Sequence, residues 1–107
     1  MDEKIQEDLA IITECVLQTV AANSIYLFGS HAYGVPNKES DIDICVVVPD
    51  EITDLTELNA NILMCLRKKR QMNIDLLLSH FSVFNHRKNG PTIERTIAQI
   101  GTLLYGT

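Results

Sequence analysis

Two long stretches of the chain place apolar residues at helical spacing. The first runs from Asp2 to about Ala22 and has acidic residues in its first turn, where they suit the helix dipole. The second follows Thr53, a good capping residue, and reaches the basic residues 67–70. We therefore predict two amphipathic helices, with apolar positions Ile5, Leu9, Ile12, Val16 and Val20 in the first and Leu55, Leu58, Ile62 and Leu66 in the second.

Three short aliphatic segments are typical of strands rather than helices. They cover residues 24–28, 41–48 and 72–78. Residues 29–40, between the first two, collect Gly, Pro, Asn and Ser in the manner of a loop. Asp75 interrupts the third segment at its centre, and an acid inside a short strand needs a reason.

The C-terminal part of the sequence predicts one more helix. After Ser79 the chain is polar and irregular through Gly90, and Pro91 is well placed as the first residue of a helix. We expect Leu103, Leu104 and Tyr105 to close the core. Whether the C-terminus forms a further short strand is a question that the sequence leaves open. The order of elements predicts a three-strand α/β (α+β) fold, and 107 residues support one domain over residues 1–107.

Charge and cysteine content narrow the function classes. With 14 acidic and 9 basic residues the net charge is -5, which argues against direct, sequence-independent nucleic-acid binding. The 3 cysteines lie in apolar stretches without a Cys-x-x-Cys spacing, so we interpret them as reduced core residues. No signal-peptide pattern or bilayer-spanning apolar run occurs, so we expect a cytoplasmic protein without membrane contact. The basic residues 67–70 suit the C-terminal end of a helix, where cations are favourable, and we prefer this interpretation to a site that attracts a polyphosphate.

An Asp-x-Asp pair is the most informative feature for chemistry. Asp41 and Asp43 open a buried strand, and side chains at i and i+2 of a strand project to the same side. If the strand with Asp75 lies beside it, a third carboxylate joins them, giving the oxygen ligands that Mg²⁺ or Mn²⁺ accepts. Gly29 lets a backbone amide approach a phosphate, and Ser30 can donate beside it or only cap a following helix.

These residues resemble the nucleotidyltransferase superfamily related to DNA polymerase β, in particular its minimal nucleotidyltransferases of the MNT type. The signature is Gly29-Ser30, ten residues, then Asp41-Ile42-Asp43, with Asp75 matching the third acid on a later strand. The resemblance implies a small mixed sheet of three to four strands flanked by helices. It also implies transfer of a nucleoside monophosphate, AMP from ATP being expected, to a hydroxyl with release of pyrophosphate.

The same resemblance implies a role for each acid. Asp41 and Asp43 are expected to hold two Mg²⁺ ions, for which Mn²⁺ can substitute, and Asp75 to hold the catalytic ion and help activate the acceptor. One departure is Tyr33, which stands where many relatives carry arginine and cannot supply a fixed positive charge. Tyr33 could instead stack on a base or be an acceptor hydroxyl, and the missing charge has four candidate sources: Lys38, Arg87, Lys88 and Arg95.

Two biological roles from different classes follow. The chain resembles MNT antitoxins encoded beside HEPN-domain RNase toxins, which implies an enzyme that inactivates its partner by attaching AMP to a tyrosine hydroxyl. The alternative is a non-catalytic antitoxin or scaffold that binds through an apolar face. Transfer to a small molecule such as an antibiotic is a third, less favoured role. His31, His80 and His86 show no metal or triad spacing, so we assign them no chemistry.

Overall fold

A four-stranded sheet forms the centre of the protein in the computed structural model, which describes residues 3–37, 39–69 and 73–106. Asp2, Lys38, Arg70 and Met72, which enter the predictions above, lie outside the described residues. The elements, in chain order, are α1 (Glu3–Thr19), β1 (Ser24–Phe28), α2 (Ser30–Tyr33), β2 (Ile42–Val48), α3 (Leu55–Leu66), β3 (Ile74–His80), α4 (Phe81–Arg87), α5 (Ile93–Ile100) and β4 (Thr102–Gly106).

The sheet is mixed, with the strand order β3-β2-β1-β4. β1 pairs antiparallel with both β2 and β4, and β2 pairs parallel with β3. Parallel neighbours cannot be joined by a tight turn, so α3 supplies the crossover between β2 and β3. This arrangement confirms the predicted mixed sheet flanked by helices and adds β4 as the short strand that the sequence left open.

The larger core lies between the sheet and the pair α1 and α3. Every second residue of β2 points into it, since side chains alternate along a strand. Full burial of one such aliphatic side chain stabilises the fold by about 1.5–3 kcal/mol. The fully buried side chains of this layer include Ile12, Val16, Ile25, Leu27, Ile42, Ile44, Val46, Ile62 and Leu66.

A smaller apolar cluster lies on the opposite face of the sheet, under α4 and α5. Phe84 of α4 and Ile97 of α5 cover Cys45 and Val47 of β2. The ring of Phe84 also stacks on Tyr26, with centroids 5.7 Å apart. Because Asp43 is two residues before Cys45 on the same strand, its carboxylate projects from this second face.

The structure differs from the prediction made from the sequence at α4. Residues 80–87 are not irregular, because the strand extends to His80 and α4 follows directly, while residues 88–90 form the expected turn. Asp50 provides the cap from outside the helix: its Oδ1 accepts a hydrogen bond of 3.0 Å from the Ser82 amide. This bond lowers the pKa of the Asp50 carboxyl.

Three further details differ from the prediction. Asp54, not Thr53, caps α3 by accepting a bond from the Glu57 amide. α5 begins at Ile93 rather than at Pro91, and Thr92 caps it by accepting a bond from the Arg95 amide. Of the three apolar residues expected to close the core, only Leu104 packs against it, since Leu103 and Tyr105 are exposed. Within the described part of the chain, no helix has the length and apolar character to cross a membrane.

Candidate active site

The sheet register brings the sequence-predicted acids to one edge. Asp43 of β2 and Asp75 of β3 are direct partners in the parallel ladder, and strands lie about 4.8 Å apart in this direction. Asp41 precedes β2 by one residue, where the Ile42 amide already donates to the Asn73 carbonyl. Asp43 is half-buried, while Asp41 and Asp75 are exposed. The three carboxylates therefore share the second face of the sheet at its solvent-facing end.

Gly29 lies directly against the central acid. It follows β1, whose last residue Phe28 is the register partner of Asp43. Its φ of 75° and ψ of -156° belong to a region that essentially only glycine occupies. A Cβ built on Gly29 would overlap Asp43 Oδ2 and stand 3.0 Å from Asp43 Cγ. Glycine is thus required here both by the backbone conformation and by the neighbouring carboxylate.

The predicted phosphate-binding turn contains a short helix, α2. Gly29 is its N-cap residue, and its carbonyl accepts bonds from the amides of Ala32 and Tyr33. Ser30 is the first helical residue and therefore does not cap α2. Gly34 ends the turn in close approach to Ser30, since a Cβ at Gly34 would lie 2.8 Å from Ser30 Cα. The Ser30 hydroxyl therefore has no capping role in α2.

His31 is a residue that sequence reasoning left out of the site. Its Nε2 lies 3.2 Å from the Ser40 carbonyl oxygen, which ties α2 to the residue before Asp41. Its positive charge, when protonated, lowers the pKa of Asp43. In the sequence, only the position of His31 next to Ser30, in the loop that ends at Ser40, could have indicated that it lies near the acids.

The environment of Asp43 disfavours its charged form. Burial raises the pKa of this carboxyl, and the charges of Asp75 and then Asp41 raise it further. The opposing effect of His31 is smaller, so the net shift is upward. A group of like charges held at one sheet edge is destabilising by itself, and a cation is its natural counterion.

The three carboxylates are the type of ligand that a hard divalent cation prefers, but they are not arranged as a complete coordination site. Within residues 3–37, 39–69 and 73–106, no three His, Cys, Asp or Glu side chains converge into a ready metal cluster. Mutual repulsion of Asp41, Asp43 and Asp75 is the interaction that a bound Mg²⁺ would offset. The donor set, all oxygen and all at one edge, is the kind that magnesium and manganese accept.

The structure assigns an ion-pair partner to one of the candidate cations. Arg87 Nε forms an ion pair of 2.7 Å with Glu94 Oε2, so its guanidinium is already held. Lys88 is the C-cap residue of α4, and Arg95 is exposed on α5. Among the described residues, the charges that shift the pKa of Asp43 come from Asp75, Asp41 and His31 alone.

A wide groove elsewhere on the surface is separate from the acids. It has a volume of about 670 Å³ and is lined by α1 residues such as Leu9 and Leu17 together with Leu104 of β4. These side chains belong to the α1 and α3 layer, on the other face of the sheet from Asp43. Tyr33 lies at the end of α2 and is 41% exposed.

Carboxylates on two parallel strands near a Gly-Ser turn are chemically suited to metal-assisted transfer of phosphoryl and nucleotidyl groups. The sequence supports this chemistry independently: residues 9–101 match the family model described as "Nucleotidyltransferase domain", and the chain belongs to this family. No curated protein sequence matches the chain significantly.

Solved structures share the fold at low sequence identity. The toxin–antitoxin MntA-HpeT, in a mutant form, is 22% identical with a TM-score of 0.59, covering 92% of this chain and 73% of the other. A toxin–antitoxin structure with AMP-PNP is 23% identical with a TM-score of 0.60, covering 94% and 74%. An inferred nucleotidyltransferase from Sulfolobus solfataricus is 17% identical with a TM-score of 0.59, covering 99% and 89%. These likenesses confirm the polymerase β-like fold.

Proposed function

We propose that this chain is a magnesium-dependent nucleotidyltransferase that moves AMP from ATP onto a hydroxyl of a partner protein, and that it is the antitoxin of a HEPN-type RNase toxin. The observation that carries the enzymatic part is the register of Asp43 with Asp75, facing the Gly29 turn. We further propose that residues 1–107 act as one catalytic domain in the cytoplasm.

Each residue of the site has a distinct task in this proposal. Asp41, Asp43 and Asp75 hold two divalent ions, and these ions, when bound, neutralise the triphosphate and polarise the attacking and leaving oxygens. The Gly29 amide and the Ser30 hydroxyl bind phosphate oxygens. The His31 bond to the Ser40 carbonyl positions the loop that delivers Asp41.

The transfer step is an in-line displacement at the α-phosphorus of ATP. The acceptor hydroxyl oxygen forms a new bond to that phosphorus, and the bond to the β-phosphate bridging oxygen breaks, so pyrophosphate leaves. Asp75, which is exposed toward solvent, takes the hydroxyl proton or passes it to water. The site is open at the sheet edge, and this suits an acceptor presented by another protein.

The fold neighbours support the choice of partner. They include the toxin–antitoxin MntA-HpeT and a toxin–antitoxin structure with AMP-PNP, an ATP analogue. From the fold alone we extend this to a toxin partner and an adenine nucleotide for the present chain. The HEPN class of the partner and the tyrosine acceptor rest on the resemblance of the Gly29 to Asp43 motif to MNT antitoxins.

A second role, as a binding antitoxin without catalysis, is favoured by the apolar side chains around α4 and α5. Phe81, Ile93, Ile100 and Leu103 are each exposed by 45% or more. Such a patch suits contact with a protein partner. This role and the enzymatic one differ in a single respect: only the enzyme needs the carboxylates.

The decisive experiment combines a transfer assay with a metal-binding measurement. The natural protein and Asp41→Asn/Asp43→Asn are incubated with α-labelled ATP, Mg²⁺ and the HEPN-domain protein encoded by the neighbouring gene. Label is resolved by protein mass, and thermal unfolding is followed with and without Mg²⁺. The matched control is Glu51→Gln/Asp54→Asn, which removes the same charge outside the site and keeps a good capping residue at position 54.

We expect labelled partner with the natural protein and the control, and none with the Asp41→Asn/Asp43→Asn variant. We also expect Mg²⁺ to raise the Tm of the natural protein but not of that variant, since ligand binding to the native state stabilises it. Full transfer by the variant would reject the assigned metal site. Absence of label with the natural protein, together with protection from the toxin by the variant, would instead support the binding role.

A further inference from the structure

Two cysteines that the sequence predicted to be reduced core residues meet between the helices of the larger core. Cys15 of α1 is 2% exposed, and Cys65 of α3 is partly exposed. Their sulfurs lie 2.6 Å apart, although 49 residues separate them in the sequence. A disulfide requires about 2.05 Å between its sulfurs, so a small movement of the two side chains closes the bond.

The surroundings of the pair differ between its two sulfurs. Cys65 Sγ has Lys69 Nζ at 4.0 Å and Gln18 Oε1 at 3.8 Å, so polar and cationic groups face it. Burial, followed by the neighbouring Cys65, raises the pKa of Cys15 to about 11. Cys65 is therefore the sulfur that a solvent oxidant reaches first, and Lys69 can stabilise negative charge that develops on it.

We propose that Cys15 and Cys65 are a redox modification site, which a hydroperoxide converts into a disulfide joining α1 to α3. The Cys65 sulfur attacks one peroxide oxygen, the O–O bond breaks and the first water leaves, forming a sulfenic acid. The Cys15 sulfur then loses its proton and attacks Cys65 Sγ, and the S–O bond breaks to release a second water. Overall, two thiols and one hydrogen peroxide give one disulfide and two waters.

The bridge has a defined mechanical consequence. It closes a loop on the order of 50 residues, which constrains the unfolded chain and raises Tm by roughly 10 °C or more. The loop includes β1, β2 and the Gly29 turn, while the sulfurs belong to the layer on the other face of the sheet from Asp43. The bridge thus reinforces the scaffold without touching the carboxylates, and it does not depend on the proposed transfer reaction.

The test uses the third cysteine as a matched control. Cys45 is fully buried in the smaller cluster and cannot reach the pair, and burial raises its pKa to about 12. The natural protein, Cys65→Ser and Cys45→Ala are treated with dilute hydrogen peroxide at low protein concentration. Free thiols are then titrated after unfolding, disulfide-linked peptides are identified by mass spectrometry, and Tm is measured with and without a reductant.

We expect the treated natural protein to keep one of its three thiols, with a peptide linking Cys15 to Cys65 and a higher Tm that the reductant reverses. Cys45→Ala is expected to form the same bridge and Cys65→Ser to show none and no rise in Tm. Retention of all three thiols by the natural protein would overturn the proposal. So would a disulfide between two chains, or irreversible oxidation of Cys65 without a bridge.

Discussion

Gly29→Ala tests the closest contact in the site, that between the Gly29 backbone and the Asp43 carboxylate. The backbone conformation of Gly29 costs a residue with a Cβ about 1–3 kcal/mol. The added methyl group would also displace Asp43, because it overlaps Oδ2. Displacing a packed neighbour typically lowers the free energy of unfolding by about 1 kcal/mol more. We therefore expect a loss of about 2–4 kcal/mol, or a fall in Tm of roughly 10–20 °C.

A double-mutant cycle separates the two contributions. Asp43→Ala removes Oδ2 and Cγ, the two nearest atoms that the new methyl group meets, so Gly29→Ala should cost about 1 kcal/mol less in that background. The remaining cost is the backbone strain together with the contact to the Cβ of residue 43, at 3.3 Å. Stability is measured by urea unfolding of the four proteins, and transfer activity is measured at a temperature at which all four remain folded.

Two other glycines supply the controls. Gly90→Ala adds a methyl group whose nearest neighbour, the Arg87 carbonyl oxygen, lies 3.8 Å away, so no loss of stability is expected. Gly106→Ala, at φ 98° beside the Asn23 carbonyl, adds strain in β4 and should lower Tm without loss of transfer by the folded protein. Strict additivity of Gly29→Ala and Asp43→Ala would refute the inferred contact.

Two further predictions concern ionisable groups. Because the native pKa of Asp43 is raised above its ordinary value of 3.8, the native state binds this proton more tightly, and stability should fall as pH rises through the raised pKa. Asp43→Asn should remove that slope in unfolding measured from about pH 3 to about pH 7, and an unchanged slope would contradict the assignment. Arg87→Met leaves buried Glu94, whose Oε1 has no hydrogen-bond partner among the residues that the structure describes, without its ion pair, and should cost about 1–3 kcal/mol at neutral pH. Burial acts to raise the pKa of Glu94, but bonds from Arg87 and other groups outweigh it and leave a lowered pKa, so the cost should vanish as pH falls through that pKa. Equal costs at all pH values would show that only the packing of Arg87 matters.

The sequence predicted the elements whose residue pattern is continuous along the chain. β1 was predicted with the bounds that the structure gives, Ser24–Phe28, and β2 differs by one residue at its start. α1 and α3 followed from continuous apolar stripes. α4 was missed because its stability is tertiary: Asp50 caps it from a distant loop, and Phe84 is its one buried side chain.

The candidate site likewise contains residues that the sequence predicted and one that it did not. The residues Asp41, Asp43, Asp75, Gly29 and Ser30 could all be selected from spacing and residue type. Their roles remain predictions, but the structure shows why Gly29 must be glycine, a fact that no pattern in the sequence contained. His31 could not be selected, because its nearness to the acids depends on how the loop returns to Ser40.

The sequence by itself determined which residues lie on which face of each strand, since alternation along a strand is a local property of the backbone. It also supplied the hypothesis of a cation site, because carboxylates are costly next to a buried strand unless a cation compensates them. Only the tertiary structure decided which strands are neighbours, and hence that Asp43 faces Asp75 and that Cys15 meets Cys65. Those adjacencies join residues far apart in the chain, and they arise when burial of apolar surface outweighs the entropy of closing the loops between them.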